Sequence, residues 1–196
     1  MRKNVLNFSL LLITVFLVLS LVGCGSDDTN TTNTGVPENT EEEIQNVQPE
    51  EGYSLFVSTD EKLSFVYNND WTSQDGSSQQ AVQIFISPDT VSQFCYAIET
   101  LPTVFTTTQY ADIAKGQLKA GYTEIDFVKD ETIKIGPHDG YQLQYDLLIG
   151  EQPVRLRQSF VVKDKVAYLF LYTTTPDRFD NYVDVADKML DSVRIK

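Results

Sequence analysis

Short runs of β-branched and aromatic residues, separated by Gly, Asn, Asp and Pro, fill most of the chain after residue 52. This pattern is typical of strands joined by turns. It predicts eight strands: Tyr53–Val57, Leu63–Tyr67, Ala81–Ser87, Phe94–Leu101, Tyr122–Ile135 (interrupted), Gly140–Ile149, Val154–Lys163 and Val166–Thr173.

Residues 107–120 have the spacing of an amphipathic helix. Tyr110, Ile113, Ala114 and Leu118 fall on one face, because positions three and four apart are neighbours on a helix. Threonines that suit an N-cap precede this face and Gly121 follows it. We therefore predict a helix that ends before Gly121.

A second helix is predicted over residues 177–193, directly after Pro176. Its apolar positions keep helical spacing throughout and its opposite face is acidic. We interpret that face as solvated, with a cation site or a docking strip as the alternative. The acidic stripe consists of Asp177, Asp180, Asp184, Asp187 and Asp191.

Polar and aromatic side chains are expected to share one face of the strands around "GEQP", residues 150–153. With two-residue loops there and near residues 163–165, Asp146 falls opposite Arg155 or Arg157, and alternate residues of three strands point the same way. Arg, Gln and aromatic residues in this combination are typical of binding surfaces. Either a helix covers this strip and satisfies its polar groups, which we favour, or the strip is an exposed binding surface. The candidate binding surface, here called the strip, consists of Gln142, Gln144, Asp146, Arg155, Arg157, Tyr168, Phe170 and Tyr172.

The first 23 residues have the pattern of an export signal: Arg2 and Lys3 followed by an apolar run from Val5 to Val22. Leu21-Val22-Gly23-Cys24 resembles the motif at which bacterial lipoproteins are cleaved and lipidated, so we predict a cleaved signal peptide over 1–23 and lipid on Cys24. The alternative is an uncleaved membrane anchor.

Residues 24–52 are predicted to be a disordered acidic tether behind the lipidated cysteine. They contain eight acidic residues, no Lys or Arg and almost no large apolar side chain, so they cannot bury enough surface to fold. The whole chain has a formal net charge of −13. This acidity excludes nucleic acid as a partner, because its phosphates require basic patches.

The sequence contains no recognisable catalytic arrangement, and we predict that the protein is not an enzyme and needs no cofactor or metal. His138 is the only histidine and lies in a Gly/Pro turn, where we expect it to be exposed. Cys95 lies in a predicted strand, where we expect it to pack as a small apolar side chain.

Five segments resemble the PsbP-like family, whose fold is shared with the bacterial lipoprotein DcrB. Trp71, Gly140 and Ser192 stand out as anchors of the pattern, which spans nearly all of residues 53–196. The segments are "LSFVYNNDW" (Leu63–Trp71), the Gln109-Tyr110-Ala111 start of the first helix, "GYQLQYDL" (Gly140–Leu147), "AYLFLYTTTPDRFDNY" (Ala167–Tyr182) and "LDSVRI" (Leu190–Ile195).

The resemblance implies an α+β single domain over 53–196: a mostly antiparallel central sheet flanked by helices, the PsbP-like α/β/α sandwich. It also implies a non-catalytic role in binding or assembly. We therefore expect a lipid-anchored module of the bacterial cell envelope, monomeric, on the extracytoplasmic face, that docks an envelope protein. The alternative is a solute- or ligand-binding lipoprotein that serves a transporter, with the strip as its pocket.

Overall fold

The structure is a computed structural model that describes residues 47–76 and 81–196. Cys24, the signal segment 1–23 and the tether as far as residue 46 lie outside the described residues. The described elements are β1 Tyr53–Val57, β2 Leu63–Asn68, β3 Thr72–Asp75, β4 Ala81–Ile86, β5 Gln93–Thr100, α1 Thr107–Gly121, β6 Ile125–Ile135, β7 His138–Ile149, β8 Gln152–Lys163, β9 Val166–Thr174, a 3₁₀ turn Pro176–Arg178, α2 Phe179–Asp191 and β10 Arg194–Ile195.

Seven of these strands form one antiparallel sheet in the order β3-β4-β5-β9-β8-β7-β6. The remaining three form a small antiparallel sheet in the order β1-β2-β10. The mainly antiparallel sheet with two helices is therefore as expected, whereas the separate small sheet was not predicted. No helix among the described residues is long and apolar enough to cross a membrane.

Both faces of the large sheet are apolar, and different elements cover them. On one face α1 packs through its buried side chains, including Tyr110 and Leu118, against β7 and β8. On the other face α2 and the small sheet pack side by side, bringing Met189 and Phe65 into the same core as Phe170. Each face thus has its own hydrophobic core, and neither can be left open to water.

Local sequence explains most element boundaries. Thr106 caps α1 in a reciprocal capping box with Gln109. The β8–β9 connection has two residues, Asp164 and Lys165, both with positive φ, as expected for a tight hairpin. α2 is shorter than predicted, because Pro176–Arg178 forms a 3₁₀ turn before it and Ser192 is its C-cap.

The elements that sequence analysis missed depend on long-range pairing. β3 has no apolar residue and is fully exposed, so only its hydrogen bonds to β4 make it a strand. β10 has two residues and pairs with β2. The interruption expected in 122–135 is a bulge between Phe127 and Lys129.

Gly140 is required by the close approach of β7 to its neighbours. A Cβ at this position would lie 2.6 Å from Cδ1 of Ile135 and 3.2 Å from the carbonyl oxygen of Phe160. Ile135 is fully buried, so it has little freedom to move aside.

We predict that Gly140→Ala lowers the free energy of unfolding by about 1–3 kcal/mol, because it overpacks this core. The control is Gly116→Ala in α1, where a Cβ meets nothing within 4 Å; this change should raise stability by up to about 1 kcal/mol. Urea unfolding followed by the fluorescence of Trp71, the single tryptophan, measures both. Equal midpoints for Gly140→Ala and the wild type would contradict the prediction.

A polar cluster ties α1 to the edge of the large sheet. Tyr141 donates its hydroxyl to Asp130 Oδ1 at 2.6 Å, and Lys115 donates to the same carboxylate at 2.9 and 3.1 Å. The Tyr141 hydrogen bond, together with the Lys115 ammonium, holds the pKa of Asp130 below its usual range.

We predict that Asp130→Asn costs about 0.2–1 kcal/mol of stability near pH 7, the range for solvent-exposed pairs. A carboxylate with a lowered pKa in the folded state stabilises above its unfolded pKa, near 3.9, and this contribution is lost as the pH falls through the folded pKa. The difference from the wild type, measured by urea unfolding from pH 7 towards pH 3, should therefore shrink in acid. Asp112→Asn, which removes only a 3.3 Å contact to Lys115, should cost less at every pH. A loss for Asp130→Asn that does not change with pH would argue against this account.

Candidate functional site

The strip forms with the strand register that two-residue loops predict. Gln144 lies opposite Arg157 between β7 and β8, and Arg157 lies opposite Tyr172 between β8 and β9. Asp146 is paired with Arg155. Alternate residues of the three central strands therefore project from the same face of the large sheet.

Most of the strip is buried under α2 and the small sheet. Phe170 and Tyr172 are at most 1% exposed, and Tyr168 is 6% exposed. Phe170 contacts Phe65 of the small sheet, with ring centroids 6.2 Å apart. These aromatic residues therefore do not form an exposed binding surface. They are covered, which is the alternative that we favoured from the sequence. Gln142, Gln144 and Arg157 are equally buried.

Asp146 and Arg155 form the part of the strip that reaches solvent. Their side chains are 30% and 26% exposed, and two hydrogen bonds of 2.7 Å join Arg155 Nε and Nη2 to the two carboxylate oxygens. These bonds raise the pKa of Arg155. The guanidinium also lies over the ring of Phe179, 5.4 Å from its centroid. The fork-to-carboxylate geometry and the stacking hold this pair in one orientation.

Arg157 lies deeper, beneath α2. Its Nη1 is 2.5 Å from Oδ1 of Asp187, and its Cζ is 5.7 Å from the ring centroid of Tyr172. Burial raises the pKa of Tyr172 to about 12, so its hydroxyl is neutral and donates to the carbonyl of Phe179 at 3.0 Å. This hydrogen bond and the ion pair both join α2 to the sheet.

The five aspartates of the acidic stripe are all exposed on α2 and on the turn before it. Asp187 alone among the five has an ion pair in the described part of the chain, the one to Arg157. The stripe therefore follows the outer face of a helix whose inner face is core, as the helical spacing predicts.

The residues with possible chemistry have structural partners. His138 Nε2 accepts the Ile195 N–H at 3.2 Å, so the imidazole is part-buried against β10 rather than simply exposed as expected. Cys95 is fully buried, and burial raises the pKa of its thiol to about 12, so it stays a thiol at neutral pH. Among residues 47–76 and 81–196, no three His, Cys, Asp or Glu side chains are placed to hold a metal ion.

Solved structures with the same fold come from distant organisms. The cyanobacterial PsbP protein of Synechocystis sp. PCC 6803 matches with a TM-score of 0.57 and 18% identity, over 76% of this chain and 95% of that one. LpqN of Mycobacterium tuberculosis, described as involved in cell envelope biogenesis, matches with a TM-score of 0.58 and 12% identity, over 83% and 99%. The Ran-binding protein Mog1p of Saccharomyces cerevisiae matches with a TM-score of 0.51 and 8% identity, over 73% and 95%.

At these identities the similarity establishes the PsbP-like fold and nothing further. No curated protein matches the sequence. The family model DcrB matches residues 65–192, which begins in β2, ends at the C-cap of α2, and includes every residue of the strip. The chain therefore belongs to the DcrB family.

Proposed function

We propose that this protein is a lipid-anchored, non-catalytic binding module on the extracytoplasmic face of a bacterial membrane, where it docks a protein partner. The family match and the similarity to a structure described as acting in cell envelope biogenesis support an envelope role. The Leu21–Cys24 motif supports the lipid anchor. Attachment would follow from acyl chains on Cys24, each buried methylene contributing about 0.8 kcal/mol.

The observation that carries the docking proposal is a fixed charged surface along α2, which we call the α2 surface. It joins four aspartates of the acidic stripe to the partly exposed Asp146–Arg155 pair. None of these four aspartates has an ion pair among residues 47–76 and 81–196, since Arg157 pairs with Asp187 and Lys188 pairs with Glu50. The α2 surface consists of Asp146, Arg155, Asp177, Asp180, Asp184 and Asp191.

The partner that this surface fits is a protein with a complementary basic patch. The inner face of α2 belongs to the core, so the helix backbone that carries the aspartates is ordered before binding and no backbone entropy is lost there. Such a charge array contributes mainly to the rate and specificity of association, and it weakens with salt.

Strand addition to the large sheet is the less favourable docking mode. β6 forms one edge of that sheet, and it carries a bulge and exposed charged residues including Lys129 and Glu131. Both features disfavour pairing of this edge strand with a strand of another protein. β3, at the other edge, has only four residues.

A ligand-binding lipoprotein serving a transporter is the second candidate function. It is favoured by one observation, the buried guanidinium of Arg157, whose Nε and Nη2 have no hydrogen-bond partner in the described part of the chain. Binding pockets place a few convergent polar groups in apolar surroundings in this way.

We predict that Cys24→Ser releases the protein from the membrane. Without the thiol no diacylglycerol can be attached, so the acyl chains that would hold the protein on the membrane are lost together with the fatty-acid label. Cell fractionation with metabolic labelling by a radioactive fatty acid measures both consequences. Cys95→Ser, which removes the other cysteine, is the control and should keep both label and location. A Cys24→Ser protein that remains in the membrane fraction without label would mean that the apolar run 5–22 itself anchors the chain.

We predict that a photoreactive phenylalanine analogue in place of Asp184 crosslinks a discrete protein in intact cells. The same analogue in place of Asp112, which is exposed on α1 on the opposite side of the large sheet, should not. The Asp184 adduct should diminish when three other aspartates of the α2 surface are changed to Asn: Asp177, Asp180 and Asp191.

The matched control removes equal charge elsewhere, through Asp75→Asn, Asp112→Asn and Glu124→Gln, all at exposed positions outside α2. Equal loss of the adduct in both triple variants would show that net charge, rather than the α2 surface, attracts the partner. Equal crosslinking at positions 184 and 112 would contradict docking on α2.

A further inference from the structure

Arg157 is a cation in the middle of β8 with α2 above it. Its side chain is 5% exposed, whereas that of Asp187, which meets its Nη1 at 2.5 Å, is 52% exposed. The guanidinium also lies over Tyr172 of the neighbouring strand. A cation so nearly removed from water requires compensation from its surroundings.

That compensation is incomplete in the described part of the chain. Nε and Nη2 of Arg157 are buried and have no hydrogen-bond partner, and the same holds for Oγ of Ser159. Ser159 is two residues further along β8, so both side chains project from the same face of the sheet. Gln144 and Gln142 lie opposite them on β7 and are 5% exposed. Buried polar groups without partners are rare in native proteins, and each calls for an explanation, of which a bound water or ion is one.

The Asp187 carboxylate pairs with only one of the guanidinium nitrogens of Arg157. Oδ1 is placed against Nη1, while Nη2 of the same guanidinium has no partner. An oxyanion with two oxygens bridging Nη1 and Nη2 would satisfy both nitrogens. Because Asp187 lies on the outer face of α2, its side chain can turn to solvent without disturbing the core under the helix.

We propose that Arg157 is the recognition group of a site for a small carboxylate or phosphate, and that Asp187 is an internal competitor held in that site. The ligand is small because the guanidinium is recessed beneath α2. Ser159 and the two glutamines give the site further hydrogen-bonding groups on the same face of the sheet. The other carboxylates of the acidic stripe disfavour the approach of anions, so binding to the wild type is weak and the competitor sets its affinity.

The experiment uses inorganic phosphate as the probe and compares two variants that each remove one charge from the same stripe. Asp187→Asn frees Arg157, whereas Asp184→Asn leaves its ion pair intact. Binding is followed by the ³¹P line width of phosphate and by the rise in Tm with phosphate concentration. Acetate in a parallel titration distinguishes a preference for phosphate from one for carboxylate.

We expect Asp187→Asn to bind phosphate or acetate about tenfold more tightly than the wild type. In the wild type the Asp187 carboxylate occupies the site, and the apparent affinity for the anion is reduced to the fraction of molecules in which the site is free. Without anion, the Tm of Asp187→Asn should be lower than that of Asp184→Asn. A saturating concentration of anion should remove this difference in Tm. Adding Arg157→Lys to Asp187→Asn keeps the positive charge but removes the two-nitrogen fork, so it should abolish the tightening.

Two results would overturn the proposal. Equal affinities in Asp187→Asn and Asp184→Asn would mean that only the general field of the stripe had changed. No binding of either anion to any variant would mean that the unpartnered nitrogens hold structural water only. Neither result bears on the docking of a protein to the α2 surface, which is measured separately by crosslinking in cells.

Discussion

The structure depends on the burial of both faces of one antiparallel sheet. Its central strands carry large apolar or aromatic side chains in both directions, so that Tyr145 and Leu171 belong to one core and Phe170 and Tyr172 to the other. A two-faced sheet of this kind is stable in water only if both faces are covered. One helix suffices on the α1 side, whereas the other side requires α2 and the small sheet together. The position of α2, and with it that of the proposed docking surface, follows from this requirement.

The same requirement explains why the Arg157 guanidinium is buried with incomplete hydrogen bonds. Tight two-residue loops determine which residues of β7, β8 and β9 share a face, and they place polar groups among the aromatic residues that α2 must cover. Arg155 stays partly exposed because it lies nearer the end of the strand, where Asp146 and the Phe179 ring hold it at the rim of the helix. Arg157 lies two residues further in and meets only the Asp187 carboxylate from outside. Desolvation of a guanidinium is costly when its hydrogen bonds are incomplete, which is why this position, rather than the exposed pair, is the chemically unusual point of the fold.

The sequence predicted those elements that depend on interactions between residues close together in the chain. Alternation predicted the long strands within a few residues, and helical spacing predicted α1 and α2. The loop lengths narrowed the residue opposite Asp146 to Arg155 or Arg157, and in the structure it is Arg155. It did not predict β3, because Thr72–Asp75 has no apolar pattern and is a strand only through pairing with β4. Nor did it predict the small sheet, because β10 is two residues long and pairs with β2 across more than 120 positions. Whether α2 covered the strip was open for the same reason: the choice depends on contacts between segments far apart in sequence. The His138–Ile195 hydrogen bond could not be foreseen either, since it joins the first residue of β7 to β10.

α2 links the fold to the proposed attachment of the protein. The chain enters the domain beside this helix: Lys188 pairs with Glu50 and lies 4.0 Å from the ring centroid of Tyr53. In the proposed lipid-anchored protein, 28 residues separate Cys24 from Tyr53, and a flexible chain of that length spans about 30 Å. The first described residues therefore join the domain on the side that carries the α2 surface. Lys188 lies within one helical turn of Asp184 and Asp191, and its ion pair with Glu50 draws its charge away from them. The four aspartates that would attract a basic partner are thus left without an ion pair among residues 47–76 and 81–196.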